Sequence, residues 1–174
     1  MPKLQKITYS ELGSLSIKVY QKKTIVDKRG ALTIDFEGDV VTCDSHISIK
    51  TSTSRKGVGR GLHHQNISAP QTKIISVLKG SLIDFVFDPF DAEGRVYCFD
   101  IDEKDGVSVV IPMNYAHGFI ATSDVVFNYI CLGRYDESQE NIYNILDSAA
   151  EVLDLGRVLL SDKDASSARI NLSY

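Results

Sequence analysis

A two-sheet, mainly β fold of jelly-roll type, carrying a small helical annex near its C-terminal end, is what this sequence predicts. Three observations lead there. Seven short segments rich in β-branched and aromatic residues follow one another along the chain, several of them alternating apolar with polar. Turn residues punctuate them and no helical period lies between them, which argues a sandwich or barrel over βαβ units. Apolar residues at helical spacing appear only beyond residue 140.

The predicted strands are 31–36 (ALTIDF), 46–51 (HISIKT), 72–78 (TKIISVL), 82–87 (LIDFVF), 95–101 (RVYCFDI), 107–111 (VSVVI) and 125–132 (VVFNYICL). Lys79-Gly80, Asp88-Pro89 with Gly94, and Asp105-Gly106 supply the turns between them. In the tail, Ile142, Ile145, Leu146, Ala149, Ala150 and Leu153 fall on one helical face. Ser161 is a candidate cap for a short turn with Asp164 at its third position.

At 174 residues, with 43% hydrophobic and 24% charged, the chain suits one domain spanning 1–174 around a single core. Nineteen basic residues against 23 acidic, without a block of either sign, give no footprint for nucleic acid or an anionic membrane surface. No apolar run is long enough for a membrane span, and the residues after Met1 lack the apolar stretch of a signal peptide. Cys43, Cys98 and Cys131 are odd in number and widely spaced, so they read as reduced thiols of a cytoplasmic protein.

Three segments carry polar residues that a plain sandwich does not need. Lys56-Gly-Val-Gly-Arg60-Gly-Leu-His63-His64-Gln65 sets two cations and two imidazoles among three glycines, which let a backbone approach a ligand closely. On a regular strand Arg60, Leu62 and His64 would face one way and His63 the other. Ile111-Pro-Met-Asn-Tyr-Ala-His117-Gly118-Phe119 follows, and the two together approximate the two-part signature of cupins. Gln65 stands where metal-binding cupins have a second histidine, and His63 and His64 face opposite sides, so no metal is expected. The third segment is Phe127-Asn-Tyr129, with Tyr135 six residues on.

Taken in order, these stretches resemble the dTDP-4-dehydrorhamnose 3,5-epimerase family of cupin-type jelly rolls. Asp27-Lys-Arg29-Gly30, Gly57 to Gln65, Pro70-Gln71-Thr-Lys73, Ile111-Pro to Phe119, Phe127-x-Tyr129 with Tyr135, and Leu160-Ser161-Asp-Lys163-Asp164 each match a family motif. The resemblance implies a cofactor-free, homodimeric enzyme inverting C3, C5 or both in a nucleotide-diphosphate 4-keto-6-deoxy sugar, in deoxysugar and polysaccharide biosynthesis. It implies His63 as base with Asp164 orienting it, Lys73 as the cation at the C4 oxygen, and Tyr129 as acid on the opposite face. Arg29 and Arg60 are implied as the diphosphate clamp, with His117, Tyr135 and Gln65 also on the substrate. Residues 14–20 (SLSIKVY) are implied as a strand exchanged between subunits.

The chain departs from the family on the nucleotide side. Ala31-Leu32-Thr33-Ile34 replaces Phe-Phe-x-Glu, Lys50-Thr51-Ser52 replaces Asn-His-Ser, and Asn141-Ile-Tyr143-Asn144 replaces a Gly-Ile-x-Trp segment. Three other readings stay open: a single-centre epimerase on another nucleotide sugar, a cupin ketoisomerase, and a jelly-roll binder without catalysis.

Overall fold

The computed structural model describes residues 1–40 and 45–173, so Cys43 lies outside the described residues. Thirteen strands are present among them. Those before the first signature segment are β1 (Leu4–Lys6), β2 (Lys18–Gln21), β3 (Lys23–Asp27), β4 (Gly30–Ile34) and β5 (Ile47–Ser54). The middle of the chain forms β6 (Gly59–Gln65), β7 (Thr72–Lys79), β8 (Ser81–Phe87), β9 (Val96–Asp102) and β10 (Val107–Ile111). The last are β11 (Ala116–Ala121), β12 (Val125–Leu132) and β13 (Glu140–Ile142). Three short helices accompany them: α1 (Tyr9–Leu12), α2 (Leu146–Val152) and α3 (Asp162–Ala165).

The strands build a six-stranded sheet, β1-β9-β8-β11-β6-β13, facing a five-stranded one, β2-β10-β7-β12-β5, with β3 and β4 as a separate hairpin. This is the two-sheet jelly roll that the short alternating strands predict. Period-two alternation decides which side chains meet between the sheets. From the six-stranded sheet come Leu82, Val86, Phe99, Ile101 and Phe119; from the other, Ile75, Val77, Val109, Ile111 and Phe127. The intervening residues of β8, Ile83, Phe85 and Phe87, are also buried, because Ile145, Leu146, Ala149 and Ala150 cover the outer face of that sheet. That double burial explains why LIDFVF reads as a nearly unbroken apolar run.

Four expectations need correction. The segment 14–20 is strand only from Lys18, and β2 pairs antiparallel with β10 of its own chain, Val109 opposite Val19. The first predicted strand stops at Ile34, and Phe36 instead packs edge-on against Tyr20 at 4.9 Å. Ile142 is not helical but ends β13 opposite His63, and the annex helix starts at Leu146. The facing of Arg60 is the fourth. Between His117↔His63 and Phe119↔Arg60 the β6–β11 register shifts, because β6 carries an extra residue there. Gly61 sits at φ +95°, and a Cβ on it would lie 2.7 Å from the His117 carbonyl oxygen, so only glycine fits. The bulge turns Arg60 to the inner face, while Leu62 stays with the outer apolar cluster.

Candidate active site

His63 and Asp164 are 101 residues apart and meet at 2.6 Å, Nε2 to Oδ1. Two local features deliver the carboxylate. Ser161 caps α3 by accepting the Asp164 backbone N–H at 3.1 Å, as the sequence predicts, and the bulged Gly61 N–H donates to Asp164 Oδ2 at 3.4 Å. Burial alone would push the Asp164 carboxyl up, but the bond and charge of His63, with Ser161 and Gly61, hold it below the ordinary aspartate range. An ionised Asp164 can only accept, so Nε2 carries a ring proton in this pair.

Lys73, on β7, donates to the backbone carbonyl of His63 at 3.1 Å, tying the cation to the histidine. Its ammonium is buried, which pulls its pKa below the ordinary lysine value. A cavity opens beside it, lined by Ser52, Arg60, Lys73, His117, Phe119, Phe127 and Tyr129 among others. Arg60 is held there by Ser54 Oγ at 3.0 Å and the Thr53 carbonyl at 3.3 Å. Burial raises the Tyr129 phenol above its ordinary value, with Arg60 acting in the opposite direction. His63 and His117 are directly opposed in the antiparallel register, so their side chains share the inner face of the sheet. His117 bonds the fully buried Asp84 at 2.8 Å and stacks on Phe127. Burial pushes the Asp84 carboxyl up against the opposing pull of His117 and Lys73.

The sequence-predicted residues therefore separate into two groups. His63, Asp164, Lys73, Arg60, His117 and Tyr129 are brought together. Tyr135 stands at the rim, 44% exposed, and the Lys50 ammonium lies 5.5 Å from the Tyr129 ring and 5.7 Å from that of Tyr135. Gln65 is buried and accepts the Asp136 N–H at 3.0 Å, bracing the loop that carries Tyr135. Arg29 is not brought to this site by its own chain. It lies at the tip of the β3–β4 hairpin, 83% exposed and ion-paired with Asp27 at 2.5 Å, so the one-chain clamp with Arg60 is not formed.

Two groups escaped the sequence reading. Asp84 had a signal, a carboxylate on the inner side of an apolar strand. Glu140, lying 3.3 Å from His63 Nδ1, had none, since it sits in an ordinary acidic stretch after Asp136. Among the described residues, no three His, Cys, Asp or Glu side chains converge in the manner of a metal site.

Comparison with known proteins points one way. A family model described as dTDP-4-dehydrorhamnose 3,5-epimerase matches residues 15–171. An enzyme of that name from Mycolicibacterium smegmatis is 28% identical over 120 residues, 67% of this chain. The chain covers only 60% of that relative's length. A dTDP-4-dehydrorhamnose 3-epimerase from Streptomyces niveus is 30% identical over 118 residues, 65% of this chain and 57% of the relative. Among solved structures, a dTDP-6-deoxy-D-glucose-3,5-epimerase of Legionella pneumophila in complex with dTDP-4-keto-L-rhamnose superposes with a TM-score of 0.70 at 26% identity. That superposition covers 88% of this chain and 87% of the other.

Proposed function

The chain belongs to the dTDP-4-dehydrorhamnose 3,5-epimerase family, and from that premise we propose that it epimerises C3, C5 or both of a dTDP-linked 4-keto-6-deoxy sugar. A proton beside the C4 ketone is too weakly acidic for water to remove at neutral pH. His63 Nδ1 takes that proton, and Asp164 stabilises the imidazolium that results. Lys73 faces the C4 oxygen, where charge develops in the enolate. Tyr129 returns a proton from the opposite face, which inverts the centre. Arg60 holds the diphosphate, His117 lines the sugar site, Gln65 steadies the rim, and Tyr135 takes the base on its ring face.

The observation that carries the reading is the 2.6 Å His63–Asp164 bond, beside a Lys73 tied to His63 itself and a cavity walled by Tyr129. Proton NMR of dTDP-4-keto-6-deoxyglucose with the protein in D2O tests it. Loss of both the C3 and C5 proton signals is expected of a double epimerase. Loss of C3 alone would place this chain with the S. niveus type of relative, and loss of neither would overturn the reading.

We further propose a homodimer in which the β3–β4 hairpin reaches a second copy and completes the clamp with Arg29. The hairpin exposes Ile25, Val26 and Leu32, and β5 exposes Ile47 and Ile49, apolar surface that a second copy would cover. A monomer mass in light scattering would overturn this. A cytoplasmic setting accords with Cys98 and Cys131, both buried and unbridged.

A further inference from the structure

We infer that Lys22 and Asp35 lock the neck of the β3–β4 hairpin, and that this lock aims the arm carrying Arg29 at the diphosphate site of a second copy. Lys22 is then a positioning residue that acts on substrate only through Arg29. The inference rests on the dimer reading above.

The hairpin needs such a device. Among the described residues, β3 and β4 pair only with each other, and every residue from Lys23 to Thr33 is exposed. The direction of the arm is therefore set where it leaves the body of the protein. Five residues a side, at about 3.3 Å each, put the tip roughly 17 Å from the neck. A tilt of about 10° at the neck would carry Arg29 about 3 Å sideways, the length of a hydrogen bond. A guanidinium recognises phosphate through a fixed fork of donors, so an error of that size loses the contact.

Both legs of the arm are fastened at the neck. Lys22 is the residue before β3 and Asp35 the residue after β4, and Lys22 Nζ meets Asp35 Oδ1 at 3.1 Å. The Lys22 side chain is only 9% exposed, and an ammonium so placed is costly unless it is partnered. Its second partner belongs to the body: Nζ donates to the Val77 carbonyl of β7 at 3.1 Å. The Lys22 backbone N–H donates to the Gly106 carbonyl at 2.7 Å, just ahead of β10. Asp35 is fastened through its own carbonyl, which accepts the Ser108 hydroxyl at 2.5 Å. Ser108 accepts in turn from Ser76, which gives these two buried serines of apolar strands a purpose. On the body side of the ion pair Tyr20 packs against Phe36, and on the arm side the Thr24 and Thr33 hydroxyls meet at 3.0 Å. Methionine at position 22 would leave the Val77 carbonyl and Asp35 without their shared cation. The neck would be free to tilt while the ladder of the arm itself stayed intact.

The test measures kcat and KM on dTDP-4-keto-6-deoxyglucose for wild type, Lys22→Met, Asp35→Asn, Arg29→Ala and the double variants K22M/R29A and D35N/R29A. Light scattering is run on each at the assay concentration. R29A is expected to raise KM about 10- to 100-fold, the loss of a charged hydrogen bond. K22M and D35N are expected to raise KM at least about fivefold, with kcat within about twofold and the wild-type mass retained. Each double variant should match R29A within about twofold, since a lock that acts only through Arg29 has nothing left to aim. D35N carries the comparison should K22M fail to fold. Wild-type KM for K22M and D35N beside a raised KM for R29A would overturn the proposal and leave the role of Arg29 standing. So would double variants in which the two effects multiply, or a K22M that falls to monomer, which would make Lys22 an assembly residue. Wild-type KM for R29A is a different result and removes the reading of Arg29 as a clamp, and the purpose of the neck with it.

Discussion

Replacing Asp164 by asparagine keeps the side chain's shape and removes its charge, which makes it the most informative single change to the base. The wild-type bond is short, at 2.6 Å, and Asp164 is only 4% exposed, so water does little to screen it. A hydrogen bond to a charged group contributes about 1.5–3 kcal/mol, which at about 1.4 kcal/mol per tenfold is about 10- to 100-fold in rate. Asparagine adds a second defect. Its amide can donate to Nε2, which moves the ring proton to Nδ1 and removes the lone pair the base needs. The combined expectation is a fall in kcat/KM of about 100-fold or more, read as the rate of C3 and C5 proton exchange by NMR. Activity within about threefold of wild type would refute the argument. Stability carries a pH signature as well. The folded Asp164 carboxyl lies below its unfolded value, so its contribution is fully present above about pH 5 and is lost as pH falls through the folded value. The difference in Tm between wild type and D164N should therefore shrink as pH drops from about 7 toward 3.

Other outcomes follow from the same geometry. Tyr129→Phe leaves the base intact and removes the acid, so it should wash deuterium into residual substrate while forming less than about 1% of the wild-type epimer; equal losses of exchange and product would count against the assigned faces. Asp84→Ala strips the partner from His117 in a fully buried pair and should cost about 3–5 kcal/mol in urea denaturation, whereas a cost under about 1 kcal/mol would mean the pair is relaxed in solution. Gly61→Ala meets the His117 carbonyl at 2.7 Å and a φ of +95°, so about 1–3 kcal/mol of stability should go together with substrate affinity, as Arg60 loses its inward aim.

What could be read in advance and what could not divides on physical lines. Strands such as β8, β10 and β12 announce themselves because a residue's neighbours two positions away decide its side of a sheet, and that information is local. Ser161 and Asp164 were legible for the same reason, since a cap and the third residue of its helix are bound by one turn of backbone. The facing of Arg60 was not, because one extra residue in β6 defeats the period-two rule, and the shift shows only against the register of β11. Nor was Glu140. Its meaning comes from β13 lying beside β6, and nothing near residue 140 distinguishes it from Glu137, whose side chain is 82% exposed. Arg29 matched its motif, yet the hairpin that carries it stands apart from the cavity, because among the described residues β3 and β4 pair only with each other.

The central claim is that His63 is the base, and His63→Asn tests it most directly when binding and exchange are measured on one preparation. The account predicts that calorimetry finds the variant binding dTDP within about threefold of wild type, since Arg60 and Tyr135 are untouched. It predicts that exchange at C3 and C5 in D2O falls by at least about 100-fold, the loss expected when a general base is removed. A variant that binds normally and still exchanges at the wild-type rate would contradict the account and move the base to another residue.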